Sequence, residues 1–314
     1  MRLVFLGTPA FAVPTLEHIV AAGHEVAAVV TQPDRPRGRG QQLAASPVKE
    51  CALRFGIPVY QPERIRRPEA LEHLRSLAPE AMVVVGYGQI IPQSVIDLAP
   101  LGIINVHASL LPKYRGAGPI QWAIARGETR TGVTTMRIDA GLDTGDMLLK
   151  AETEIDSEEN AIELGKRLAV MGAELLVKTL DGLALGQIVG AKQDNAQATY
   201  APILKKEDGA IDWNRTAEEI HNQVRGFQPW PGAYTSFRGQ TLHVWRTRVA
   251  PPVMGSPALL PGTIRGTRPL VVQCGMGRLE LMEVQMEGRK RVPAGDFANG
   301  QRIAENETLG ESRA

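Results

Sequence analysis

Asn105-Val106-His107 is where residue types and spacing in this chain first suggest chemistry. The pair closes the apolar run Ile103–Val106, which reads as a strand. Side chains on a strand alternate between faces, so Asn105 and His107 project to one side at its carboxyl end. An amide donor beside an imidazole suits stabilisation of an oxyanion and movement of a proton. The glycine-bearing loop Pro112–Ile120 follows, and its backbone lets a ligand approach closely. Further on, Asp139-Ala140-Gly141-Leu142-Asp143-Thr144-Gly145-Asp146 sets three acids in a glycine-interrupted loop. A carboxylate there can orient or charge a histidine, whereas the spacing and missing closing glutamate rule out an EF-hand. A lone histidine is often a satisfied core residue, and an acidic loop is often a turn. Taken together, Asn, His and Asp without metal-ligand spacing point to acyl transfer.

Other chemistries lose their support. One glycine in Gly7-Thr8-Pro9-Ala10-Phe11, and two in Gly86-Tyr87-Gly88, fall short of the Gly-x-Gly-x-x-Gly needed for a dinucleotide, so no nicotinamide is expected. A P-loop and a Gly-x-Ser-x-Gly elbow are absent. Cys51 and Cys274 stand far apart, with no Cys/His cluster, which argues against a disulfide framework or a metal site. They are expected to be buried thiols in a reducing compartment. The apolar start of the chain is too short for a signal peptide, and no run approaches the roughly 20 residues of a membrane span. A soluble, cytoplasmic monomer that does not engage a membrane is the expectation.

The elements that position these groups change character along the chain. Leu3–Leu6, Val26–Val30, Met82–Val85 and Ile103–Val106 are continuous apolar runs, as in strands buried on both faces. Pro14–Ala22 reads as a helix stopped by Gly23. Asp156 with Glu159 reads as a capping box for a helix striped by Leu164, Leu168, Met171 and Leu175 and ended by Asp181-Gly182. Strands alternating with helices imply an α/β fold: a Rossmann-like, mostly parallel sheet with helices on both faces. After a polar stretch, Thr216 and Glu219 cap a short helix. Short β-like runs follow at Ala233–Phe237, Thr241–Trp245, Gly262–Arg265, Leu270–Cys274 and Arg278–Glu283, with Gly275-Met276-Gly277 as a hairpin turn. A smaller C-terminal, OB-like β-barrel is expected. The boundaries read as a catalytic domain over 1–185, a linker over 186–204 and the barrel over 205–314.

Charge follows the same division. The whole chain carries only +1, which by itself predicts no polyanionic partner. Residues 231–303, however, hold ten Arg/Lys against four acids, a net +6, and leave −5 for the rest. That distribution suits a polyanion-binding module joined to an enzyme, although a solvated barrel surface would look the same.

Asn105-Val106-His107-Ala108-Ser109-Leu110-Leu111-Pro112, followed by Tyr114-Arg115-Gly116-Ala117, resembles the signature of the folate-dependent formyltransferases. Gly7–Ala12, Thr31–Pro36, Gly141–Asp146 and Pro229–Ala233 strengthen the likeness, which runs from Met1 to about Arg302. The loop Asp34–Gln42 and the Pro-Trp-Pro-Gly segment favour the branch that acts on charged tRNA. The resemblance implies formyl transfer from 10-formyltetrahydrofolate to the amino group of methionine on initiator tRNA, without a metal. It implies Asn105, His107 and Asp143 as catalytic residues and Ser109, Leu110, Leu111 and Pro112 as the folate-lining segment. Asp143 would hold His107 in its useful tautomer or charge state. Arg39 and Arg37 in the 34–42 loop, with Arg246 and Arg248 in the basic segment, would contact the tRNA. A formyltransferase acting on a small amine such as an amino-sugar nucleotide is the alternative. The chain departs from the pattern at Gln41-Gln42, at Gly118 and at Arg225-Gly226-Phe227-Gln228, none of them in the catalytic set.

Overall fold

The computed structural model describes residues 1–37, 42–252 and 260–310. Its first elements are β1 (Arg2–Gly7), α1 (Val13–Ala21), β2 (Glu25–Val30), β3 (Arg35–Arg37), β4 (Gln42–Ala44), α2 (Pro47–Arg54) and β5 (Val59–Tyr60). Then come α3 (Pro68–Ser76), β6 (Ala81–Val85), α4 (Gln93–Ile96), β7 (Ile103–His107), α5 (Pro119–Ala125), β8 (Arg130–Arg137), β9 (Met147–Glu154) and α6 (Ala161–Ala184). All four apolar runs singled out in the sequence are strands.

Seven strands form one sheet in the order β5-β2-β1-β6-β7-β8-β9. Pairing is parallel from β5 to β7, and β8 runs antiparallel to β7. Alternation along the strands builds a core on each face. Leu3, Phe5, Ile104 and Val106 pack with Leu16 of α1, Val48 of α2 and Leu176 of α6. Val4, Leu6 and Ile103 pack on the other face with Leu74 of α3 and Val95 of α4. The expected sheet with helices on both faces is therefore present.

One helix start was misread. The cap of α6 is Asn160, whose Oδ1 accepts from the amides of Ile162 and Glu163, while Glu163 Oε2 accepts from the Asn160 amide. Asp156 accepts from Glu158 N in a local turn instead. Two boxes four residues apart satisfy the same pattern, and the chain uses the second. The helix also runs through Asp181-Gly182, its supposed stop.

The later elements are α7 (Ala217–Gly226), β10 (Ala233–Phe237), β11 (Gln240–Val249), β12 (Ile264–Thr267), β13 (Leu270–Gln273), β14 (Arg278–Met286), β15 (Val292–Pro293) and α8 (Ala294–Gly300). The strands pair antiparallel in the order β10-β11-β14-β13-β12, with β15 on β14. Phe237, Leu242, Val244, Val272, Leu279 and Leu281 face the interior. The open edges are closed by a segment with no strand signal of its own. Ile264 N donates to Glu307 O, Asn306 N to Ile264 O and Leu309 N to Gly262 O, while Gly310 N donates to Ser236 O of β10. Residues 306–310 thus complete the barrel, whose edges would otherwise expose unpaired backbone groups.

The chain divides into two compact units, each assembled from separate stretches of sequence. One comprises Met1–Gly116, Arg130–Thr153 and Gly165–Ala201, and the other Ala117–Thr129, Glu154–Leu164 and Pro202–Ala314. The stretch expected as a linker is bonded into the first unit. Ala191 and Met147 exchange backbone hydrogen bonds, and Arg115 pairs with Thr199 and Ala201. In the second unit, α5 belongs with α7 because Gly226 lets the helices approach: a Cβ there would lie 2.8 Å from Ala125 N. The Arg225 guanidinium donates to the carbonyls of Asp156 and Glu159, which explains why that segment joins the barrel. Among the described residues no helix is long and apolar enough to cross a membrane.

Candidate active site

β7 carries Asn105 and His107 on the face it shares with Ile103, opposite Met136 and Thr134 of β8. Both are buried, at 8% and 6% exposure. Among the described residues no group bonds the Asn105 amide, so its donors remain for a ligand. Beyond His107 the chain is clamped to β8. The Thr134 hydroxyl donates to Ser109 O at 2.7 Å and accepts from Leu111 N at 3.1 Å. Ser109 Oγ donates to Lys113 O at 2.6 Å, and the Lys150 ammonium donates to Leu111 O at 2.5 Å. Burial pulls the Lys150 pKa down. Ser109 and Leu111 are buried in this clamp, whereas Leu110 and Pro112 stay partly exposed.

His107 is fixed by a backbone group. Its Nε2 lies 2.9 Å from the Tyr114 carbonyl, which can only accept, so that nitrogen carries the proton. Nδ1 faces Asp143 Oδ2 at 3.7 Å, an ion-pair distance when the ring is charged and too long for a hydrogen bond. The tautomer is therefore set by Tyr114 rather than by Asp143, and Nδ1 has no hydrogen-bond partner among the described residues.

Asp143 is held from two directions. Its Oδ2 accepts from Gly116 N at 2.8 Å. Its carbonyl, and that of Gly145, accept from Gln193 Nε2 at 2.7 and 2.9 Å. Gln193 Oε1 in turn accepts two bonds from the buried Arg115 guanidinium, at 3.0 and 2.8 Å. Asp143 itself sits at φ +52° and Gly116 at φ +114°. The side chain of Gln193 and the amide of Gly116 were not singled out in the sequence. Their only signal there is a polar stretch and a glycine, because the contacts span 50 and 27 residues.

The remaining expected residues are less closely gathered. Arg39 lies outside the described residues, and for Arg37 only the backbone of β3 is described. Asp34, at the base of that loop, is anchored by Lys49 at 2.5 Å and Gln61 at 2.8 Å. These hydrogen bonds, that from Lys49 above all, hold its carboxyl below the usual aspartate range. A cavity of about 560 Å³ opens beside the loop, lined by Thr8, Pro9, Gln32, Arg35, Ser46 and Gly88 among others. Arg246 and Arg248 are both exposed on β11, and Arg248 lies 3.8 Å from Glu280 Oε2.

Known proteins resemble this chain across both of its parts. Residues 1–180 match the formyl transferase family and residues 203–302 the formyl transferase C-terminal domain. A methionyl-tRNA formyltransferase of Solibacter usitatus is 73% identical over 311 residues, covering 99% of each chain. One of Koribacter versatilis is 58% identical over 313 residues, again 99% of each. The solved sugar 3N-formyl transferase WlaRD superposes with a TM-score of 0.67 over 92% of this chain and 99% of its own, at 20% identity. That likeness carries the fold alone and lends the amino-sugar alternative no weight against the closer relatives. The chain belongs to the formyltransferase family, in the branch of the methionyl-tRNA formyltransferases.

Proposed function

We propose that this chain moves a formyl group from 10-formyltetrahydrofolate to the amino group of methionine on initiator tRNA, in the cytoplasm, with Asn105, His107 and Asp143 as its catalytic residues. The observation that carries the reading is the arrangement on β7. An unbonded amide stands beside an imidazole whose one nitrogen is pinned to Tyr114 O and whose other faces a carboxylate. The folate supplies the formyl carbon and receives a proton at N10 as the carbon–nitrogen bond breaks. His107 Nδ1 takes the proton that the attacking amine must lose, and the Asp143 carboxylate compensates the charge on the ring. Asn105 donates to the formyl oxygen as negative charge develops there, an interaction that strengthens only toward the transition state.

Leu110 and Pro112, the partly exposed members of the clamped segment, offer apolar contact to the folate, while Ser109 and Leu111 serve the clamp. Arg39 and Arg37 belong to the loop reading: the cavity beside Arg35 and Pro36 gives an acceptor end a place to enter. Arg246 and Arg248 add positive charge on the barrel. The test offers the enzyme the formyl donor with either charged initiator tRNA or an amino-sugar nucleotide. Formylation of the tRNA alone supports the reading, and formylation of the sugar alone rejects it.

A further inference from the structure

The outward face of the barrel carries a row of rings that formyl transfer does not use. Tyr234 of β10 stands opposite His243 of β11 in the strand register, and Trp245 follows His243 two residues on. Successive ring centroids lie 6.1 Å apart, and the planes of His243 and Trp245 are within 26° of parallel. Leu242 and Val244 alternate with these residues and are fully buried, so the three rings point outward. Residues on one face of a strand repeat every ~6.6 Å, close to twice the thickness of a ring. Tyr234 and His243 meet at 59°, so neither ring fully covers the other's face. The Trp245 indole is held in place: its N–H donates to Gln285 Oε1 at 2.9 Å, and Gln285 Nε2 donates to Arg289 O. Outward positions of such sheets ordinarily carry polar side chains, and three adjacent rings there bury no core of their own.

Charge indicates what these rings accept. The Arg291 guanidinium lies over Trp245, 4.0 Å from its centroid, and Arg246, Arg289 and Lys290 are exposed close by in the chain. Glu283 pairs with Arg291 at 3.3 Å, and Glu287 and Lys206 both act on His243. Burial of His243 pulls its pKa down, which favours the neutral, stacking form of the ring. At the Trp245 end begins a cavity of about 550 Å³ whose wall mixes Asp156, Glu158, Glu159 and Glu163 with Arg225, Arg246 and Arg291.

We propose that Tyr234, His243 and Trp245 form a stacking site for unpaired bases of RNA, with Arg291 and its neighbours engaging the adjoining phosphates. The proposal rests on the reading of tRNA as the substrate and adds a way of holding it that does not depend on salt. Base–aromatic stacking tolerates any sequence, because every base presents a flat face.

The experiment measures binding of a single-stranded RNA of about twelve nucleotides, and of a duplex of equal length, to the full chain across a salt series. Trp245→Leu and His243→Ala are expected to weaken single-strand binding about tenfold each, with an unchanged slope of log K against log salt. Trp245→Phe should restore most of the affinity, and duplex binding should be unaffected. Unchanged single-strand affinity in folded Trp245→Leu, or equal loss for the duplex, overturns the proposal. Formylation of charged tRNA by the unmodified chain is measured in parallel. Its failure would count against the substrate reading, whereas aromatic variants that bind like wild type beside normal formylation would count against the stacking site alone.

Discussion

His107 gives one ring nitrogen to the Tyr114 carbonyl, 2.9 Å away, and turns the other toward Asp143. A carbonyl only accepts, so the bond selects the tautomer and leaves Nδ1 facing a carboxylate. Asp143→Asn keeps an oxygen for Gly116 N but removes the charge. Turnover should fall about 10²–10⁴-fold, the span of general acid–base catalysis, with little change in melting temperature. Steady-state kinetics and thermal melts check both halves, and retention of wild-type turnover would remove Asp143 from the mechanism.

Gln193 holds the Asp143 loop without reaching the reacting atoms, so it is a positioning residue. Gln193→Leu removes both bonds to the loop carbonyls and the acceptor for Arg115, which keeps Asn195 Oδ1 at 2.9 Å. Loss of buried hydrogen bonds costs about 1–3 kcal/mol. We expect a lower melting temperature and a kcat about tenfold lower, since small misplacements at a site are costly. The KM for folate should change less than kcat. Gln193→Glu, which keeps an acceptor for Arg115, should recover stability more than turnover.

Much of this site was legible because it is local. Asn105 and His107 share a face by strand alternation alone, and the runs around β1, β2, β6 and β7 declare a buried sheet. The supports of Asp143 were not legible, because Gly116 N and Gln193 reach it from distant parts of the chain and their residue types say nothing of the pairing. Closure of the barrel by residues 306–310 is hidden for the same reason: polar turn residues there find strand partners only in the folded chain. The α6 start shows a different limit. Asp156/Glu159 and Asn160/Glu163 both satisfy a capping pattern, and the choice falls to the carbonyls of Asp156 and Glu159, which Arg225 takes up.

Gly116 tolerates no side chain. It sits at φ +114°, and a Cβ would stand 2.6 Å from the Ala201 carbonyl oxygen. Gly116→Ala must move either the strand-like pairing of Arg115 with Ala201 or the amide that holds Asp143. A cost of about 1–3 kcal/mol is expected from the strain, with a larger loss of turnover than of folate affinity. Denaturant melts and kinetics on the same sample test this, and a variant with native stability and turnover would contradict the tight geometry.

Acid should loosen the second unit through α7. Hydrogen bonds from the Thr216 backbone and hydroxyl hold the Glu219 carboxyl below the usual glutamate range. A lowered folded pKa adds stability that is complete above the unfolded value, about 4.3, and disappears as pH falls through the lowered one. Glu219→Gln should therefore melt below wild type at neutral pH and converge with it in acid. Thr216→Ala, which removes the cap itself, should cost about 1 kcal/mol. A gap between wild type and Glu219→Gln that widens on acidification would reverse the assignment.

In the proposed mechanism Nδ1 of His107 moves the proton while Asn105 bears the developing charge. Single-turnover formyl transfer to charged initiator tRNA, measured for wild type, His107→Ala and Asn105→Ala, tests it most directly. Both folded variants should lose about 10²–10³-fold in rate while binding tRNA normally. Near-wild-type turnover in folded His107→Ala would contradict this mechanism.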